Sequence, residues 1–275
     1  MTDSNDPTDA EPEGLIGADE PPAVEFIRAN TALPALLVCD HASARVPAAL
    51  GRLGLEEAAF REHIALDIGA ASVTRRLSAM LELPAVMTGY SRLVLDCNRG
   101  LSDATAFPAE ADGRVVAGNQ SLDEVARRVR AEACYWPYHR AIEAELAELG
   151  RQVEAPALIA IHSFTPTLNG HARPWHCGVL WDKDPRIPQP LMVALDALPD
   201  IVVGDNEPYS GRHPADFTID HHGEANGLPH ISIELRQDLI DSDEGANRWA
   251  GLLAETLLPI LRDPSLYRHL SLIHI

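Results

Sequence analysis

The chain has 275 residues, 46% of them hydrophobic, enough for one large domain or two small ones with a substantial core. Its 41 acidic residues against 22 basic ones give a formal net charge of -19, which argues against recognition of nucleic acid or an anionic membrane through bulk electrostatics. No uninterrupted apolar run approaches the ~20 residues that a membrane span needs.

Residues 1–22 carry Asp3, Asp6, Asp9, Glu11, Glu13, Asp19 and Glu20 and no Lys or Arg. They lack the basic region and apolar core of a signal peptide and read as a solvated, disordered tail before a domain spanning 23–275. The four cysteines (Cys39, Cys97, Cys134, Cys177) are dispersed with no Cys-x-x-Cys pair, the pattern of core thiols in a reducing cytoplasm.

Strand-like and helix-like segments then alternate. The run 36–39 is a short buried strand. Residues 56–81 have the spacing of one or two helices, stopped by Pro84. Two strands are expected over 85–88 and 92–96, then a polar loop over 103–119. Ser121 and Glu124 have capping-box spacing and open a long helix, interrupted near Pro137 and running to Leu149. Strands follow at 158–161, 177–181, 201–203 and 230–235, with a short helix over 190–198 and a closing helix over 246–261. A polar loop covers 204–228. No internal repeat and no central linker stands out. The pattern predicts one α/β domain with a central mixed, mostly parallel sheet flanked by helices. The end of the chain, 270–275, is apolar and has no assigned role.

Polar residues at the ends of apolar strands locate the chemistry, because burying them is costly without a partner and ligands of α/β sheets sit at strand ends. His41 follows the run 36–39, His162 ends 158–161, and Glu234 lies in 230–235 on the same face as Ser232 and His230. Two imidazoles and a carboxylate base suggest a zinc hydrolase, although a single such His is as readily a hydrogen-bonded core residue. Asp67, in an otherwise apolar stretch, is the candidate third ligand, with His63 four residues earlier as the fallback. A Glu beside zinc-bound water can take its proton and pass it to a leaving amine. The alternative for Glu234 is an ion pair with Arg236 or Arg99.

Arg92, Asn98 and Arg99 flank the run 93–97, and an Arg fork binds a carboxylate through two parallel hydrogen bonds, with Asp96 as an orienting group. Tyr209 in the 206–211 loop and Arg236 complete the candidate substrate contacts. His221 is a candidate catalytic residue that would help stabilise the oxyanion.

With these residues in place, the chain resembles the N-formylglutamate amidohydrolase family. The matching strings are Asp40-His41-Ala42-Ser43-Ala44-Arg45-Val46-Pro47, residues 63–70 and 91–99, Trp136-Pro137-Tyr138-His139, Ile161-His162-Ser163-Phe164, Arg173-Pro174-Trp175, and residues 206–211 and 233–237, all in family order. The resemblance extends distantly to zinc carboxypeptidases and aspartoacylase. It implies a phosphorylase/hydrolase-like fold, Zn2+ as cofactor and hydrolysis of an amide near a carboxylate. His41, Asn98, Arg99, His162 and Glu234 match the family roles of ligand, carboxylate clamp, ligand and base. The carboxypeptidase group carries a Glu ligand three residues after its first His, where this chain has Ala44, so the carboxylate ligand falls to Asp67.

The expected function is a cytoplasmic zinc amidohydrolase acting on a small molecule that carries a carboxylate, with N-formylglutamate as the first substrate. The rivals are a zinc carboxypeptidase or amidase acting on a larger acylated amino acid or a cell-wall peptide, and a non-catalytic module that senses a carboxylate through Arg92 and Arg99. Homo-oligomerisation is left open.

Overall fold

The chain's most continuous apolar runs become the centre of one sheet. In the computed structural model, which describes residues 14–29, 31–212 and 216–270, β1 spans Val24–Ile27, β2 Ala35–Cys39 and β3 Ala85–Thr88. A small hairpin, β4 (Glu110–Ala111) and β5 (Arg114–Val115), follows. Then come β6 (Ala157–Phe164), a second hairpin β7 (Thr167–Leu168) and β8 (His171–Ala172), β9 (Cys177–Leu180), β10 (Val203–Asp205) and β11 (His230–Arg236). The seven-stranded sheet has the order β1-β3-β2-β6-β11-β9-β10. Its centre, β3-β2-β6-β11, is parallel, and β9 and β10 run together, antiparallel to β11. β1 closes the other edge antiparallel to β3.

Strands covered on both faces read as near-continuous apolar runs, and β2 is buried at every position. Alternation sorts its side chains. Leu37 and Cys39 join Ile159, Ile161, Ile231 and Ile233 on one face, under α1 (Ala70–Leu81), α4 (Pro188–Asp196) and α5 (Asp243–Leu261). Leu36, Val38, Leu158 and Ala160 face α3 (Trp136–Leu149), which contributes Tyr138, Ile142, Leu146 and Leu149 at helical spacing. Burying each such aliphatic side chain contributes roughly 1.5–3 kcal/mol.

The structure corrects several sequence expectations. Residues 92–96 form no strand: Ser91 accepts the Leu93 N–H on its hydroxyl at 3.1 Å and the Val94 N–H on its carbonyl at 2.9 Å, so the segment turns. Its apolar run reports burial, not a period of two. The 56–81 region holds one 3-10 turn (Glu57–Arg61) and then α1, with 62–69 irregular. His63 and Asp67 therefore share no helix face, and His63 lines a separate cavity beside Thr105. The predicted long helix is α2 (Glu124–Arg130), a π turn (Ala131–Tyr135) and α3; its N-cap is Asp123, which accepts from Ala126 N at 2.8 Å, and not Ser121. Pro137 lacks an N–H, so the ladder loosens just before it.

Within the stretch read from the sequence as tail, residues 17–21 hydrogen-bond to one another and to the domain. Glu20 accepts the Gly17 and Ala48 N–H groups at 2.8 and 2.9 Å, and Pro21 accepts the Tyr90 hydroxyl at 2.7 Å. Residues 1–13, and all of the apolar end but Leu270, lie outside the described residues.

Candidate active site

Three parallel strands deliver the central groups from their C-terminal ends. Asp40 and His41 follow β2, His162 is near the end of β6, and Glu234 sits in β11 in register with His162. Asp67 arrives from the irregular 62–69 segment, where its N–H donates to the His41 carbonyl at 3.0 Å. Gly69 then turns the chain into α1 at φ +81°, and a Cβ there would collide with the Ile240 carbonyl.

One oxygen of Asp67 gathers both imidazoles. Asp67 Oδ2 lies 3.3 Å from His41 Nδ1 and 2.8 Å from His162 Nδ1. The opposite ring nitrogens each meet a second carboxylate. His41 Nε2 is 2.8 Å from Asp96 Oδ1, and His162 Nε2 is 3.1 Å from Asp40 Oδ2. Arg92 donates through Nε and Nη2 to Asp96 Oδ2 at 3.1 and 2.7 Å and reaches Asp67 Oδ1 at 3.5 Å. The Thr218 hydroxyl donates to Asp40 Oδ1, and the Asn98 N–H to Asp96 Oδ1 at 2.9 Å. Asp216 approaches His162 Nε2 at 3.9 Å.

This arrangement sets the charges. Burial, with Arg92, pulls the His41 imidazolium down, but Asp96 and Asp67 more than offset both and raise its pKa. Burial also opposes charge on His162, yet the hydrogen bonds and charges of Asp40 and Asp67 hold it well above the ordinary value. Burial would raise Asp96, but Arg92 and His41 hold it well below the usual carboxylate range. Glu234 differs. Burial pushes it up to about 8, and its Oε2 has no hydrogen-bond partner among the described residues.

The donor set fits a metal. His41, Asp67 and His162 offer ligand atoms that lie within 4.8 Å of one another, all on buried residues. Two atoms bound to one tetrahedral ion at roughly 2.0–2.2 Å are about 3.3 Å apart, close to the 2.8 and 3.3 Å separations from Asp67 Oδ2. Each imidazole presents Nδ1 to this focus and backs Nε2 onto a carboxylate, the support that ligating histidines commonly receive.

The cluster opens onto a cleft of about 820 Å³ whose lining includes Arg92, Asn98, Arg99, Tyr209, His221 and Glu234. The structure thus brings together every nominated site residue except Arg236, which pairs with Asp238 at 2.8 Å and does not line the cleft. Arg92 is engaged by Asp96 and Asp67, which ties it to the His41–Asp67–His162 cluster more than to a ligand. Asn98 accepts the Thr218 N–H at 2.9 Å on its side-chain oxygen. Arg173, given no role from the sequence, places its guanidinium 4.9 Å from the Tyr209 ring and donates to its hydroxyl at 3.1 Å. Asp40 was signalled only by its adjacency to His41, and Asp216, in a polar loop, carried no signal.

A second histidine group backs one cleft wall. His139 Nδ1 is 2.8 Å from His222 Nε2, and His139 Nε2 is 3.0 Å from the Cys97 carbonyl. Burial pushes His139 down to about 4 and His222 down to about 3. The neighbouring His221 stacks on Phe217 with ring centroids 5.2 Å apart.

Buried ligand-type residues at the C-terminal ends of parallel strands, facing an open cleft, mark an α/β enzyme whose cleft groups could hold a metal ion. Residues 33–241 match the family model for N-formylglutamate amidohydrolase, and the chain belongs to that family. Its family marks it as a hydrolase that acts on an amide. Among solved structures it is similar to gene product Atu2144 from Agrobacterium tumefaciens, with 33% identity, a TM-score of 0.86, and coverage of 90% of this chain and 98% of that one. It shares its fold with N-formylglutamate amidohydrolase from Ralstonia eutropha JMP134, at 15% identity, a TM-score of 0.65, and coverage of 87% and 97%. No curated protein matches the sequence. Among the described residues no helix is long and apolar enough to cross a membrane.

Proposed function

We propose that this protein is a zinc-dependent amidohydrolase that removes an N-formyl or N-acyl group from an amino acid, with N-formylglutamate, yielding formate and glutamate, as the first candidate. The observation that carries this reading is the convergence of His41, Asp67 and His162 beside the unpartnered oxygen of Glu234 at the cleft wall. These three residues would hold the ion, which when bound acidifies water and polarises a carbonyl. Asp96 lies within hydrogen-bond distance of His41 Nε2 and Asp40 stands 3.1 Å from His162 Nε2, so a carboxylate backs each ring and Nδ1 is the nitrogen turned to the ion.

Glu234 takes a proton from the attacking water as the new C–O bond forms, and returns it to the nitrogen as the C–N bond breaks. A carboxylate whose pKa is raised is suited to both halves of that exchange. Asn98 and Arg99 bind the carboxylate of the amino-acid portion and set the register of the scissile bond. His221 and Tyr209 offer polar groups to the oxyanion and the substrate from the cleft walls. The four cysteines are free and buried, which suits a reducing cytoplasm.

The cleft volume favours a second reading, a larger acylated amino acid or short peptide as substrate. A panel of N-formyl and N-acyl amino acids offered to the zinc-loaded enzyme separates the two. Glu234→Gln is expected to lower turnover by about 10²–10⁴-fold while zinc remains bound. Turnover retained in that variant removes Glu234 from the base role.

A further inference from the structure

Behind the cleft wall that carries His221, α3 faces the π turn Ile219–Gly223. His139 and Glu143 are four residues apart on α3 and so share one of its faces. The turn sets the rings of His221 and His222 at 79° with centroids 4.8 Å apart. Ligand atoms of Glu143, His221 and His222 lie within 4.8 Å of one another. None of these residues belongs to the His41–Asp67–His162 cluster.

Hydrogen bonding decides where the lone pairs are. A carbonyl only accepts, so His139 Nε2 donates to Cys97 O. His139 is neutral, so its Nδ1 accepts from the Nε2–H of His222. The lone pair of His222 is therefore on Nδ1. A backbone carbonyl backing an imidazole is a common way to orient a ligating histidine, here extended through one more ring. His222 is buried, whereas Glu143 and His221 are exposed. Drawing the ligand atoms in to the roughly 3.3 Å of a tetrahedral site asks movement of the two exposed side chains while His222 stays fixed.

We propose that Glu143, His221 and His222 form a second metal site, for a divalent transition ion of the zinc, cobalt or nickel type, with the remaining position open to water. Two imidazoles and one carboxylate suit such ions and give no cage of hard oxygens for calcium or magnesium. Because His221 also lines the cleft, an ion held here fixes that wall.

The test is a titration of the metal-stripped full chain with Co2+ alone, followed by calorimetry, with metal content measured after gel filtration. The wild type is expected to bind two ions. Glu143→Gln should weaken one binding step by more than about tenfold, and His221→Ala should remove it. Asp67→Asn should lose the other step and keep this one, so failure of the proposed hydrolytic centre is told apart from failure of this site. Glu143→Gln changes an exposed side chain, and histidine 15N spectra of Asp67→Asn give a readout that needs no loss-of-ligand variant: Co2+ should broaden the His222 Nδ1 resonance first. A wild-type ion or ions whose stoichiometry and affinity are unchanged in both Glu143→Gln and His221→Ala overturn the proposal, whereas a single ion kept in Asp67→Asn and lost in His221→Ala would overturn only the hydrolytic centre.

Discussion

Two pairs of buried imidazoles sit in one protein with opposite charge preferences. His41 and His162 lie among Asp40, Asp67 and Asp96 and are held toward the protonated form. His139 and His222 lean on each other, a carbonyl and aromatic rings, and are held neutral down to about pH 4 and about pH 3. Burial opposes charge in both places; close carboxylates outweigh it at the first pair, while at the second the neighbouring imidazoles add to it and the charge of Asp40 does not offset it. The same side chain is thus held in one region toward the protonated form and in the other in a neutral form with a fixed tautomer.

Asp67→Asn should change the first pair most. It removes the oxygen shared by both imidazoles, so zinc affinity should fall by more than about a hundredfold, beyond the cost of losing a supporting group. Equilibrium dialysis with zinc measures it, and near-wild-type affinity would exclude Asp67 as a ligand. Asp96→Asn takes only the support behind His41 and should cost about 10–100-fold by the same assay.

Proton linkage sharpens the contrast. Both imidazoles have raised pKa values, so zinc competes with protons for them: binding should expel protons, and affinity should rise with pH. Calorimetry in buffers of different ionisation enthalpy counts them; a count near zero would mean both rings are already neutral.

The smallest effect is on acid stability. For His139 the folded pKa lies below the ordinary value of 6.5, so the unfolded chain binds the proton first and stability falls as pH drops from 6.5 toward about 4. The loss is on the order of 3 kcal/mol, and His139→Gln should flatten that part of the thermal melting profile. His41 and His162 act in the opposite sense. Their contribution in the metal-free protein is full below pH 6.5 and is lost as pH rises through their raised values.

The sequence exposes what is costly to bury and conceals what is brought together from afar. His41, His162 and Glu234 stand out because each interrupts or ends an apolar strand, and Asp67 because it is a carboxylate in an apolar stretch. The central sheet is legible for the same reason: β2, β3, β6 and β11 fall on the apolar runs. The turn at 91–97 was hidden because a buried loop and a buried strand have the same composition. Arg173 beneath Tyr209 and Asp216 beside His162 depend on contacts that no local spacing encodes.

The histidines held neutral owe their placement to two loosened turns. The π turn Ala131–Tyr135 feeds α3, which carries His139, and the π turn Ile219–Gly223 contains His221 and His222. A π turn is an α-helix with one residue too many. Removing a single residue from either stretch would let the helix close into regular register and turn the imidazoles on one side of the deletion by about 100° relative to the other, the arc of one helical step. Chain length at these two points, as much as residue identity, therefore decides whether the rings meet.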